Sequence, residues 1–284
     1  MTRRLATLLL SLGPRVFAGS PKRLDQIVGD IPGTALLVDV RTRALVAVHS
    51  AELAGGLLVP PGSAIKPFAL EALLRSGKLR EGETFPCPGS LSIGGRAFNC
   101  SHPAMAAPMD VKTALAYSCN CFVAHFAARF APGELAAALV RCGLSSRSGW
   151  FGDREGSGQV ERAASRDGQQ LQAIGEGGVL VTAAEMALAY RRLAVSAPDA
   201  IRNGLEGAVR FGTAQRAQAA GASVAGKTGS VRAQDGAMFV WFCGFAPSRP
   251  AQVVVTVMLE GRSGGADAAP VAAKILEAHF AGRV

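Results

Sequence analysis

A hydroxyl and an amine stand three residues apart in Pro61-Gly62-Ser63-Ala64-Ile65-Lys66-Pro67-Phe68. A serine is a poor nucleophile at its own pKa and needs a base beside it. A lysine serves as that base only where burial or a second cation depresses its pKa. Further along, Ser118-Cys119-Asn120 and Lys227-Thr228-Gly229-Ser230 add a second hydroxyl, an amide, a second cation and a further hydroxyl. Taken singly each is ordinary, since many helices begin with a serine and carry a lysine one turn later. Taken in order, they offer acyl transfer through a serine nucleophile.

That chemistry requires elements that bring three distant segments to one cleft. The run from Ser63 to Ser76 has apolar residues at Ile65, Phe68, Ala69, Leu73 and Leu74, which is helical spacing. Ser63 and Lys66 then share a face of its first turn. Upstream, Thr34 to Val40 and Ala44 to His49 read as a hairpin around Arg41-Thr42-Arg43, and residues 51 to 62 as a loop. Two short strands, Ser90 to Ile93 and Arg96 to Asn99, flank the turn Gly94-Gly95. Asp110 is placed to cap a helix to about Tyr117, and a second helix runs from Cys121 to Phe130, which leaves Ser118-Cys119-Asn120 on the turn between them. A further helix spans Gly133 to Arg141. The stretch Ser145 to Gln170, rich in Gly, Ser and charge, reads as a loop rimming the site, and Glu176 as a loop residue. Thr182-Ala183-Ala184-Glu185 is a capping box. Ala222 to Val231, Phe239 to Phe245 and Gln252 to Leu259 return to strand character, and Asp267 is placed to cap a last helix through Phe280.

Strands at both ends with helices between them imply an α+β fold of three layers, αβα. An antiparallel sheet of about five strands is covered by helices, and an all-helical lobe is inserted between strands two and three. The cleft lies where the two lobes join.

With its three motifs in this order the chain resembles the penicillin-binding transpeptidase family, within the serine β-lactamase and D,D-peptidase superfamily. The resemblance extends to Gly33-Thr34-Ala35-Leu36-Leu37-Val38-Asp39, Ile93-Gly94-Gly95-Arg96, Gly178-Val179-Leu180-Val181-Thr182 and Trp241-Phe242-Cys243-Gly244-Phe245-Ala246-Pro247. It covers residues 31 to 284 and implies a class B-like transpeptidase domain. Ser63 would attack a carbonyl while Lys66 takes its proton, and Ser118 would relay that proton to the leaving nitrogen. Asn120 would bind a substrate amide and steady Lys66. Lys227 and Thr228 would meet a substrate carboxylate, and Gly229 would leave the strand edge clear for substrate. The resemblance also implies an oxyanion hole from the backbone amides of Ser63 and Ser230, with no cofactor and no metal. The substrates it implies are peptidoglycan stem peptides, with β-lactams as covalent inhibitors.

Two other readings stay open. A class D-like serine β-lactamase fits the compact size, although that family has Ser-x-Val where this chain has Asn120. A non-catalytic β-lactam-binding or scaffold domain is the third, against which stand the intact Ser63, Lys66, Ser118 and Lys227. The chain departs from resident cell-wall synthases in showing no N-terminal pedestal domain and no convincing membrane anchor.

Arg3 and Arg4 followed by the apolar run Leu5 to Leu12 and by Val16-Phe17-Ala18 read as a secretory signal over residues 1 to 20. Export to the periplasm or another extracytoplasmic space follows, with membrane association if that signal stays uncleaved. The formal net charge of +9 favours anionic partners such as cell-wall polymers or lipid headgroups. Nucleic acid is excluded on the lack of a basic stripe interleaved with aromatics. Six cysteines remain. Cys87 and Cys100 flank the short hairpin and are placed for a disulfide in an oxidising compartment. Cys119, Cys121, Cys142 and Cys243 fall in buried-looking segments and read as small apolar residues, and Cys119, Cys121 and His125 match no zinc spacing.

Overall fold

The computed structural model describes residues 21–233 and 236–284. The signal read over residues 1 to 20 lies outside them. After a first helix, α1 (Pro21–Val28), the chain enters β1 (Gly33–Asp39) and returns as β2 (Leu45–His49). The turn between them is fixed by Asp39, whose carboxylate accepts from the Thr42 amide at 2.6 Å and its hydroxyl at 2.7 Å. The expected hairpin is therefore present. The expected loop over 51 to 62 is in its first half a short helix, α2 (Ala51–Gly56).

At the other end of the chain β7 (Ala225–Arg232), β8 (Met238–Ala246) and β9 (Val253–Glu260) complete one antiparallel sheet in the order β2-β1-β9-β8-β7. Strands β1 and β9 pair from Gly33 with Leu259 to Asp39 with Val253. Both faces of this sheet are covered, so β9 is buried from Val253 to Leu259 with no polar alternation beyond Thr256. Alternate residues feed two cores. Leu36, Val38, Val254, Met258 and Trp241 belong to one, and Leu37, Val255, Val257, Val240 and Phe242 to the other. The second core is closed by α1 and α10 (Ala269–Phe280). The first is closed by α8 (Ala183–Ser196), which packs on β1, β8 and β9. The layers are αβα, as the sequence implies.

The inserted lobe holds α3 (Lys66–Arg75), α4 (Val111–Ala116), α5 (Asn120–Ala127), α6 (Glu134–Arg141), α7 (Arg166–Ile174) and α9 (Asp199–Arg210). It is not wholly helical. The hairpin read from sequence is there as β3 (Ser90–Ile93) and β4 (Arg96–Asn99), and a two-residue ladder joins β5 (Gln159–Val160) to β6 (Val179–Leu180). Asp110 caps α4 by accepting from the Thr113 amide at 2.8 Å, and Thr182 with Glu185 forms the capping box of α8. The loop expected to Gln170 ends earlier, because Ser165 accepts from the Gly168 amide and starts α7. Near the C-terminus the cap is Ser263 rather than Asp267. The Ser263 hydroxyl accepts from the Ala266 amide to open a π-turn over Gly264–Ala268, while Asp267 accepts from the Arg262 and Ser263 amides ahead of it.

Candidate active site

Ser63 lies on a 3-10 turn, Gly62–Ile65, which runs directly into α3. Two buried aromatic side chains pin this turn. The Trp241 indole donates to the Pro60 carbonyl at 3.0 Å, and the Tyr190 hydroxyl to the Ala64 carbonyl at 2.8 Å. Sequence reasoning gave neither this role, because a buried Tyr or Trp looks like core until its polar end is seen to hold a backbone acceptor. Strand β7 presses on the turn from the other side. A Cβ on Gly229 would come within 2.5 Å of the Pro61 carbonyl oxygen, so a side chain there would force the strand away from Ser63. Gly229 was expected to clear a path for substrate. The space beside it is instead filled by the protein's own Pro61–Ala64 backbone. The Ser230 backbone in turn abuts Gly62, next to Ser63.

Lys66 has no exposed surface. Its ammonium donates to the Ser118 carbonyl at 2.7 Å, the Ser118 hydroxyl at 3.2 Å and the Asn120 amide oxygen at 2.5 Å. Lys227, equally buried, donates to the same Ser118 hydroxyl at 2.9 Å and to the Thr228 carbonyl at 3.0 Å. Two cations thus share one neutral oxygen. Burial pulls the Lys66 pKa down to about 8 from 10.5. Lys227 falls well below its ordinary range, first through burial and then through repulsion by Lys66. A lysine so placed can give up its proton near neutral pH and accept one from a hydroxyl on its face.

The turn that carries Ser118 adopts φ = 57°, a left-handed conformation unusual for a non-glycine residue. Its neighbour Asn120 opens α5 and donates from its amide nitrogen to the Asn99 carbonyl of β4 at 3.0 Å. The Thr228 hydroxyl donates to that of Thr213 at 3.0 Å, a partner in the segment after α9 that no motif announces. Ser230 accepts from the Gly264 amide at 2.9 Å, so its side chain is tied while its backbone faces Gly62. Glu176 sits in the loop after α7, as expected, and faces Arg96 at 3.5 Å. Burial raises its carboxyl pKa.

Behind the Ser118 turn lies a group that sequence reasoning did not assemble. Cys87 and Cys100 are not joined as a disulfide: their sulfurs stand 3.7 Å apart, and all six cysteines are free thiols. Two further thiols stand beside them. Cys119 lies 3.4 Å from Cys87 and 3.8 Å from Cys100, and Cys121 lies 3.5 Å from Cys100. His125, considered with them at first, points elsewhere and stacks on Phe85 at 4.1 Å.

Ser63, Lys66, Ser118, Asn120, Lys227, Thr228 and Ser230 therefore come together where the sheet edge meets the inserted lobe. A family model, the penicillin binding protein transpeptidase domain, matches residues 33–196 and 195–277. Among curated proteins, the probable peptidoglycan D,D-transpeptidase PenA of Neisseria flavescens is 27% identical, over 77% of this chain and 63% of that protein. The chain thus spans less than two thirds of that relative's length. Pseudomonas aeruginosa PBP2, solved in complex with WCK 5153, superposes with a TM-score of 0.81 at 18% identity, covering 91% of this chain and 73% of the other. The D,D-transpeptidase domain of a peptidoglycan glycosyltransferase from Eggerthella lenta gives 0.77 at 20% identity, covering 91% and 81%. These two structures share the fold.

Proposed function

The chain belongs to the penicillin-binding protein transpeptidase family, and from that premise we propose that it is a D,D-transpeptidase of peptidoglycan synthesis working through an acyl-serine at Ser63. The domain spans residues 31 to 284, and residues 1 to 20 act as an export signal that delivers it outside the cytoplasm. The observation that carries this reading is the fully buried Lys66 amine, which meets only neutral oxygens and shares one of them with Lys227.

This geometry supports the following reaction. Neutral Lys66 takes the Ser63 hydroxyl proton as the oxygen attacks the carbonyl of the penultimate D-alanine of a stem peptide. The developing oxyanion is met by the Ser63 and Ser230 amides, donors of a type commonly worth a few kcal/mol. The Ser118 hydroxyl, bonded to both lysines, passes the proton from Lys66 to the leaving nitrogen, and the terminal D-alanine departs as the C–N bond breaks. Lys227 and Thr228 hold its carboxylate, with Thr213 fixing the Thr228 hydroxyl. Asn120 orients the peptide amide and keeps Lys66 on its turn. An amine from a second stem peptide then attacks the ester in the reverse sense and regenerates Ser63. If water does so, the outcome is carboxypeptidase activity. β-Lactams enter the same path and remain on the serine.

The test is intact-protein mass after benzylpenicillin, followed over hours beside Ser63→Ala. A persistent adduct that the variant lacks supports the transpeptidase. Hydrolysis with many turnovers would assign the chain to the β-lactamases, and neither adduct nor hydrolysis would leave a non-catalytic scaffold.

A further inference from the structure

The thiols behind the Ser118 turn have the dimensions of a metal site. Thiolates about 2.3 Å from a tetrahedral zinc ion lie about 3.8 Å from each other, and about 3.5 Å from an imidazole nitrogen at about 2.0 Å. Cys87, Cys100 and Cys119 are separated by 3.7, 3.4 and 3.8 Å, and the His102 Nε2 lies 3.6 Å from the Cys87 sulfur. The four ligand atoms all fall within 4.8 Å of one another. Cys119 is buried, while Cys87, Cys100 and His102 are partly exposed, which gives an ion a way in.

The surroundings are also those of a ligand set. His102 Nδ1 lies 2.8 Å from the Pro103 carbonyl, so Nδ1 carries the proton and the Nε2 lone pair is left facing the sulfurs. Two of the sulfurs accept a backbone amide, Cys87 from Gly89 and Cys119 from Phe122. Amides aimed at sulfur stabilise thiolate over thiol, and thiolate is the form that binds metal. Cys121 stands 3.5 Å from Cys100 as an outer neighbour.

We propose that Cys87, Cys100, His102 and Cys119 bind one thiophilic divalent cation of the zinc class in a closed tetrahedral site. Four protein ligands leave no open position, so the ion takes no part in acyl transfer. Its work is mechanical. Cys87 precedes β3, Cys100 and His102 follow β4, and Cys119 lies between Ser118 and Asn120. One ion would therefore clamp the hairpin to the turn that holds both lysines, alongside the Asn120–Asn99 hydrogen bond. The ligands come from three segments at spacings that match no local zinc pattern.

The test is metal retention by the full chain, reduced, loaded with Zn(II) or Co(II) and desalted, with no turnover involved. The expected result is about one equivalent per chain, a Co(II) spectrum with intense tetrahedral d–d bands and sulfur charge transfer, and a melting temperature lowered by chelator. His102→Ala should keep part of the metal and shift the d–d bands, and Cys100→Ser should lose most of it. Retention below a tenth of an equivalent by the unaltered chain would overturn the proposal. So would a weak octahedral Co(II) spectrum, or disulfides among these cysteines in chain exported and isolated with zinc present. Ser63→Ala should retain the full equivalent, which separates failure here from failure of the acyl-serine reading.

Discussion

Helix α3 buries two charges of opposite sign and treats them oppositely. Glu71 is met by Arg75 at 2.8 Å and Arg192 at 2.7 Å, two guanidiniums that reach it from partly exposed positions. Lys66, little more than a turn earlier, is met by a carbonyl, an amide oxygen and a hydroxyl, with a second buried lysine on that hydroxyl. Neutralising a buried charge makes a scaffold. Leaving one solvated only by dipoles makes a base, because the uncompensated ammonium is ready to lose its proton. The same helix thus separates what holds the fold from what performs the chemistry.

Three measurements would sharpen or break that contrast. The largest effect belongs to Lys66→Ala, which should slow formation of the penicillin adduct by about 10²–10⁴-fold, the range for loss of a general base. A rate within threefold of the parent would remove Lys66 from the reaction. Next, Arg75→Ala combined with Arg192→Ala strands the Glu71 carboxylate in the interior and should cost about 3–5 kcal/mol in urea unfolding, with the adduct rate per folded molecule unchanged. A loss below about 1 kcal/mol would mean that water reaches Glu71 and that the contrast is overdrawn. The third is pH dependence. Acylation requires the neutral amine of Lys66, whose pKa is about 8, so the rate should climb about tenfold per pH unit below that value and level off above it. The sign for stability is the same: a base whose folded pKa lies below its unfolded value weakens the fold at neutral pH, and that cost is relieved as pH rises from about 8 toward 10.5. A flat profile would sink the assignment of Lys66 as base.

The polar half of this contrast was legible in the sequence, because Ser63, Lys66, Ser118, Asn120, Lys227 and Thr228 occur in short motifs whose order carries meaning. So was the sheet, whose apolar runs at the two chain ends have nowhere to go but against each other. What escaped has physical reasons. Helix α9, which carries Gly204 and Gly207, has no counterpart in the sequence reading. In the structure they let α9 approach α4 closely, since a Cβ on Gly204 would lie 2.7 Å from the Leu115 Cβ. Thr213 and the thiol cluster escaped because their partners are distant in the chain. Cys87 and Cys100 were read as a pair, and the third and fourth thiols that crowd them arrive from a helix start twenty residues on. Gly229 was recognised but given the wrong neighbour.

The left-handed Ser118 has a consequence of another kind. A non-glycine residue in that region carries about 1–2 kcal/mol of strain, which glycine would relieve. Ser118→Gly should therefore hold or raise the melting temperature while removing the hydroxyl that both lysines share. At this position the residue that is easier to fold is the inactive one. Serine persists at this turn only while selection for activity outweighs selection for stability.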